Sequence, residues 1–273
     1  MSNDENIVTK TNDGYVVELF AKTEEYFEIE EAIEGICILE KDYEKNKKCS
    51  AYKEIVEKMD YRPVIIKALE LKEEKTKIKT QLKDMLRAGK YGDLSIMFPK
   101  VSLLAELREY KDILEECKKE LEDENIPYKK NVKMGVMVEI PSVALMSYEL
   151  ARECDFFFIE ANSLTNYVFD FKQDDDTKFQ LATIKLVQQA TEGAHDAGIF
   201  CGISGDIVEN ELYMPLLIGL GLDQFSMNSK NIEKGRKVIG ELDKSECKYL
   251  VEEILQLRTI EEMEKKLKQF IQK

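Results

Sequence analysis

The stretch "GVMVEIPSVALMSYELARECDFFFIEANSLTNY", Gly135–Tyr167, decides the architecture. It reads as strand, helix, strand. The run "VKMGVMVEI" (132–140) is rich in β-favouring apolar residues, and "SVALMSYELAREC" (142–154) reads as a helix with Ser142 as its N-cap. Phe156–Ile159 are four apolar residues in succession, the pattern of a strand buried on both faces. That strand delivers Glu160, Ala161 and Asn162 to its C-terminal end. A carboxylate and an amide at the end of a buried strand call for a partner or a ligand there.

The same alternation extends in both directions. Strands are expected at 15–21, 35–39, 62–71, 94–98, 132–140, 155–161, 199–203 and 222–228. Helices are expected between them at 24–34, 49–60, 74–89, 101–124, 142–154, 179–198 and 211–221. Two further helical stretches, about 230–243 and 246–272, close the chain. Eight strands, each followed by a helix, within about 250 residues match the count and size of an α/β (β/α)₈ TIM barrel. A doubly wound open sheet is the competitor, but no glycine-rich phosphate loop follows the first strand. No linker or charge run divides residues 1–273, so a single domain is expected.

Composition narrows the function. The formal net charge of −14 disfavours nucleic acid and anionic membranes as partners. No apolar run reaches the length needed to span a bilayer, and "MSNDENIVTK" has no apolar signal region, so a cytoplasmic location is expected. The six cysteines are scattered without a CxxC pair and the chain has one histidine, which argues against a zinc site and a disulfide framework.

In a barrel of this kind the active site lies at the C-terminal ends of the strands. Those ends carry Lys22, Glu40 and Asp42, Lys67 and Glu70, Pro99–Lys100, Glu139–Pro141, Glu160 and Asn162, Cys201–Gly202, and Met227–Asn228. Glu139 and Glu160 come from adjacent strands. They could share a hard cation such as Mg²⁺, or repel one another so that one stays protonated.

The residues also resemble a known family. "GVMVEIPSVALMSYELARECDFFFIEANSLTNY" is similar to the pattern G-x-M-V-E-x-P, helix, D-F-F-S-I-G-T-N-D-L-T-Q-Y of phosphoenolpyruvate-utilising enzymes. "IFCGISGD", "LLIGLGLDQFSMN" and "MLRAGKYGDLSIMFPKV" resemble further segments of that barrel, as found in the C-terminal domain of enzyme I of the bacterial sugar phosphotransferase system. The resemblance covers nearly the whole chain.

It implies a phosphoenolpyruvate- or pyruvate-like ligand, Mg²⁺, and a homodimer. Transferred residue by residue, it also implies an altered site. Glu139 matches one of the two Mg²⁺ carboxylates, but Ser163 stands where the second belongs. Asn162 matches the family asparagine that touches phosphate, and Glu160 replaces a glycine two residues before it. Arginines of the family pattern become Lys67, Glu40 and Gln173, and the segment "LELKEEKTKIK" lacks the arginine expected in that region. A lysine cannot offer the paired donors of a guanidinium. Cys201 matches the cysteine that protonates enolpyruvate, with Ile203 in place of the following glutamate, and it reads either as that acid or as an inert buried thiol.

Lys67 is read as a substrate-binding cation, or as a structural partner of Glu139 or Glu160. His195, on the helix before the seventh strand, is read as structural. The family's phosphoryl-carrier domain has no counterpart in these 273 residues. The expectation is therefore a stand-alone pseudoenzyme, a binding or regulatory protein. The alternative is an enzyme acting on phosphoenolpyruvate or a 2-oxo acid, by Mg²⁺-dependent phosphoryl transfer or by enol protonation from Cys201.

Overall fold

A computed structural model describes residues 8–10, 16–21, 49–60, 62–170 and 179–272. The strands are β1 (Val8–Lys10), β2 (Val16–Ala21), β3 (Val64–Lys67), β4 (Leu94–Phe98), β5 (Lys133–Val138), β6 (Phe156–Glu160), β7 (Phe200–Ser204) and β8 (Gln224–Met227). They form one sheet in the order β1-β2-β8-β7-β6-β5-β4-β3. Every pairing from β2 through β8 and round to β3 is parallel, and β1 alone is antiparallel.

The expected α/β architecture is present in part: the strands from β2 through β8 and round to β3 run parallel, and the strand expected between β2 and β3 falls outside the described residues. Among the described residues the sheet is a curled, mostly parallel α/β sheet with β3 at one end and β1 at the other. The short β1, not anticipated, pairs with Val16–Glu18 on one side of β2. The strand expected at 35–39 and the helix expected at 24–34 lie outside the described residues, as do Lys22, Glu40, Asp42 and Gln173.

The helices are α1 (Cys49–Lys58), α2 (Lys75–Ala88), α3 (Leu104–Asp123), α4 (Pro141–Leu145), α5 (Ser147–Ala151), α6 (Ala161–Phe169), α7 (Leu181–Asp196), α8 (Met214–Gly219), α9 (Ile232–Glu241), α10 (Lys244–Ile254) and α11 (Ile260–Ile271); α2 to α8 lie in the connections between successive strands from β3 to β8, and α9 to α11 follow the last strand. The helix expected at 142–154 is two short ones, because Met146 leaves helical geometry at φ −103° and ψ 24°. Its N-cap is Ile140, with Pro141 in the first turn; Ser142 instead donates its hydroxyl to the Ser102 carbonyl at 2.9 Å. The stretch expected as one helix at 246–272 is also two. Thr259 starts the second, its hydroxyl accepting the Glu262 N–H at 3.2 Å while Glu262 reaches back to the Thr259 N–H.

Side-chain alternation sorts the sheet into two faces. Ile66, Ile96, Phe98, Val136, Val138, Phe157, Ile159, Cys201, Ile203, Phe225 and Met227 join the helices in the main core. Ile65, Met97, Met137, Phe156 and Phe158, with Phe200 against them, form a second cluster made of strand residues alone. That second cluster lines the inner face, away from the helices. Its aromatic rings need room: a Cβ on Gly135 would lie 2.1 Å from the Phe156 ring, and one on Gly202 would lie 2.4 Å from the Phe158 ring.

Candidate functional site

The two-residue period carries the inner face to the strand ends. Lys67 follows Ile65, Glu139 follows Met137, Glu160 follows Phe158, and Ser204 follows Gly202 and Phe200. Glu139, Glu160 and Ser204 are buried, and Lys67 is half-buried. Residues expected at the site from the third, fifth and sixth strands, Lys67, Glu139 and Glu160, therefore fall on one rim, and Ser204, directly across from Glu160 in register, joins them. Ser204 donates its hydroxyl to the Ile159 carbonyl at 3.3 Å. Counting the period from Phe200 identifies Ser204 from sequence alone.

Cys201 does not reach that rim. It is the second residue of β7, on the helix-covered face, with no exposed surface. Its Sγ lies 3.8 Å from the Thr191 hydroxyl of α7, and burial pushes its thiol far above the ordinary range. A thiol there cannot meet a ligand at the mouth, because a one-residue offset along a strand reverses the face. Its backbone N–H donates to Asp223 Oδ2 at 2.9 Å, and His195 Nε2 lies 2.9 Å from the same oxygen, tying the end of α7 to the approach to β8.

Glu139 is 3 % exposed, and both of its oxygens are held by one residue. The Lys100 backbone N–H donates to Oε1 at 2.7 Å and the Lys100 ammonium donates to Oε2. Lys100 takes a left-handed conformation, φ +52°, just beyond β4. Its ammonium also lies 5.1 Å from the centroid of the Tyr167 ring. Burial pulls the Lys100 ammonium down, but the hydrogen bond and charge of Glu139 outweigh it and hold its pKa above the ordinary lysine value. The loop that carries Lys100 is fixed by Tyr110, which stacks on Phe98 at 4.3 Å and places its hydroxyl 3.2 Å from the Pro99 carbonyl and 3.0 Å from the Leu69 carbonyl. Lys67 and Lys100 were both on the strand-end roster; the cation found on Glu139 is Lys100.

Glu160 is the N-cap of α6, a helix not among those expected from the sequence. Its Oε2 accepts the Ser163 N–H at 2.6 Å. Asn162, half-buried in the first turn, accepts the Asp206 N–H on Oδ1 at 3.1 Å. It borders a cavity of about 220 Å³ whose walls include Asp206, Asn210, Tyr213 and Glu264. Tyr213 is pushed up to about 12, first by burial and then by Glu264, whose Oε1 is 3.4 Å from its hydroxyl. Two carboxylates on that wall oppose an anion beside Asn162.

The residues present do not assemble a Mg²⁺ site in this arrangement. Mg²⁺ needs oxygen donors at close range in near-octahedral order. Both Glu139 oxygens face Lys100, and Glu160 accepts from a helix N-terminus. Among the described residues, no group of three or more His, Cys, Asp or Glu side chains is placed to hold a metal ion.

Comparison with known proteins matches residues 71–244 to the family described as PEP-utilising enzyme, PEP-binding domain. A phosphoenolpyruvate-protein phosphotransferase of Listeria monocytogenes is 32 % identical over 246 residues, covering 78 % of this chain and 43 % of its own length. The chain thus spans less than half of that relative. Among solved structures, a citrate lyase from Burkholderia xenovorans LB400 superposes with a TM-score of 0.62 at 13 % identity, over 86 % of this chain and 79 % of its own. The citrate lyase beta subunit of Mycobacterium tuberculosis, complexed with oxaloacetate and magnesium, gives a TM-score of 0.55 at 15 % identity, over 81 % of this chain and 95 % of its own. At such identities the likeness speaks for the fold. The family match and the Listeria relative decide membership: the chain belongs to the phosphoenolpyruvate-utilising enzyme family.

Proposed function

We propose that this chain is a degenerate phosphoenolpyruvate-utilising barrel that binds a small anionic 2-oxo acid and acts as a binding or regulatory protein, without autonomous phosphoryl transfer. The observation that carries the reading is the capping of α6 by Glu160. A helix N-terminus at the end of a strand receives anions through its free N–H groups and its dipole. Here the chain's own carboxylate occupies that end, and a phosphate approaching it meets a like charge. Ser163, which stands where the resemblance expects a Mg²⁺ carboxylate, offers its backbone to the same cap.

The reading includes closure of the sheet into a single (β/α)₈ domain over the whole chain, supported by the succession of parallel pairings. It includes a cytoplasmic homodimer; no helix among the described residues is long and apolar enough to cross a membrane. Lys67 at the inner rim is the proposed contact for the ligand carboxylate, with Asn162 beside it. The alternative of enol protonation by Cys201 has no support from a thiol buried on the helix side of the sheet.

The test is turnover. Phosphoenolpyruvate, Mg²⁺ and a phosphoryl-carrier domain supplied in trans are expected to give no pyruvate above background. Sustained pyruvate release that disappears in Glu139→Gln would refute the reading.

A further inference from the structure

We propose that Lys100 stands in the place of a divalent cation on Glu139, so that this mouth takes a small carboxylate ligand without a metal ion. The ligand class rests on the reading above; the cation replacement does not. Glu139 is the buried carboxylate at the inner end of β5, where a metal-binding carboxylate is expected from the resemblance. One residue holds both of its oxygens, through a backbone N–H and an ammonium. A Mg²⁺ ion bound to that carboxylate would lie about 2.0–2.1 Å from an oxygen, within the volume the ammonium fills, and the two positive charges would repel.

The arrangement is built rather than incidental. Lys100 adopts φ +52°, a conformation a lysine seldom takes, and that turn brings its N–H and its ammonium to the same carboxylate. Tyr110 fixes the preceding carbonyl and the Tyr167 ring borders the ammonium. The neighbouring carboxylate, Glu160, is engaged by the Ser163 N–H. About a third of the Lys100 side chain is exposed, at 31 %, so the tethered cation can still meet a ligand carboxylate from the mouth.

The experiment measures metal binding directly, with Mn²⁺ as the probe and its electron paramagnetic resonance signal as the readout. The purified chain is expected to leave Mn²⁺ free at concentrations below a millimolar. Lys100→Gln is expected to gain a bound Mn²⁺, with affinity raised at least tenfold, and Lys100→Gln with Glu139→Gln is expected to lose it again. A Glu139-dependent Mn²⁺ site in the unmodified chain overturns the proposal, as does no gain in a Lys100→Gln protein whose circular dichroism and melting are native-like. Should that variant fail to fold, calorimetric titration of the unmodified chain with pyruvate decides. Equal affinity with Mg²⁺ or EDTA supports the proposal, and binding strengthened by Mg²⁺ and lost in Glu139→Gln overturns it. Absence of pyruvate binding in both conditions, with Mn²⁺ left free, removes the 2-oxo acid reading and upholds the replaced cation.

Discussion

The carboxylate of Glu160 caps the helix that begins at its own neighbour, accepting the Ser163 N–H at 2.6 Å. The last residue of a buried strand thereby becomes the first device of the following helix, and the rim of the sheet acquires a fixed negative charge where α6 would otherwise present open N–H groups. Removing the cap by Glu160→Ala is expected to lower stability by about 1 kcal/mol, as other N-cap losses do. The same change should raise affinity for inorganic phosphate at that end. Urea unfolding reads the first effect and isothermal calorimetry with phosphate reads the second.

Breaking the pair at the mouth should cost more. Glu139→Gln leaves Lys100 in a partly buried place without its carboxylate. The expected loss is about 1–3 kcal/mol, below the range for a fully buried pair because Lys100 is 31 % exposed. Guanidinium unfolding at neutral pH measures it.

The pair also has a pH signature. Lys100 has a raised pKa in the folded chain, so folding strengthens its hold on its proton. Its contribution is therefore complete below the ordinary lysine value of about 10.4 and is lost as pH rises through the higher folded value. The stability gap between the unmodified chain and Lys100→Gln should stay constant from pH 7 to 9 and narrow only beyond that lysine value. Paired unfolding curves across this range test it.

Cys201 should behave as core. Its thiol has no exposed surface and burial pushes its pKa far up, so the thiolate needed for alkylation is scarce. Iodoacetamide at neutral pH is expected to leave Cys201 unlabelled in the native chain and to label it after unfolding. Cys201→Ala is expected to cost about 1–2 kcal/mol with no change in ligand affinity.

The inner face predicts a packing defect. Gly135→Ala puts a Cβ 2.1 Å from the Phe156 ring, which must move against Phe200, stacked on it at 5.1 Å. A loss of about 1–3 kcal/mol is expected, partly recovered by Phe156→Leu in the same chain. Thermal melts of the single and double variants form the test.

The strands were legible because their apolar runs are long and bounded: 94–98 appears with those limits, and 156–160 lies within the expected 155–161. The two faces of the sheet were not separated in the sequence reading, and the motif at "FCGI" drew attention to Cys201 and away from Ser204, although the period of two distinguishes them. Sequence similarity aligns letters, whereas the pleat decides which letters face a ligand. The helix α6 was missed because Asn162, Ser163 and Thr165 favour turns, and its stabilising cap is a glutamate, an uncommon residue in that role. The Lys100–Glu139 contact joins residues 39 positions apart and depends on one left-handed backbone angle, for which the sequence carries no local signal.

The angle at Lys100 also separates two properties that one residue normally couples. Left-handed geometry is what glycine adopts freely and lysine resists, by roughly 1 kcal/mol. Lys100→Gly would keep the N–H aimed at Glu139 Oε1, relax the backbone and delete the ammonium in a single step. Conformational preference and electrostatic demand therefore pull this position toward different residues. Because local strain alone favours replacement, the persistence of lysine at position 100 across related chains would be a direct reading of selection for its charge.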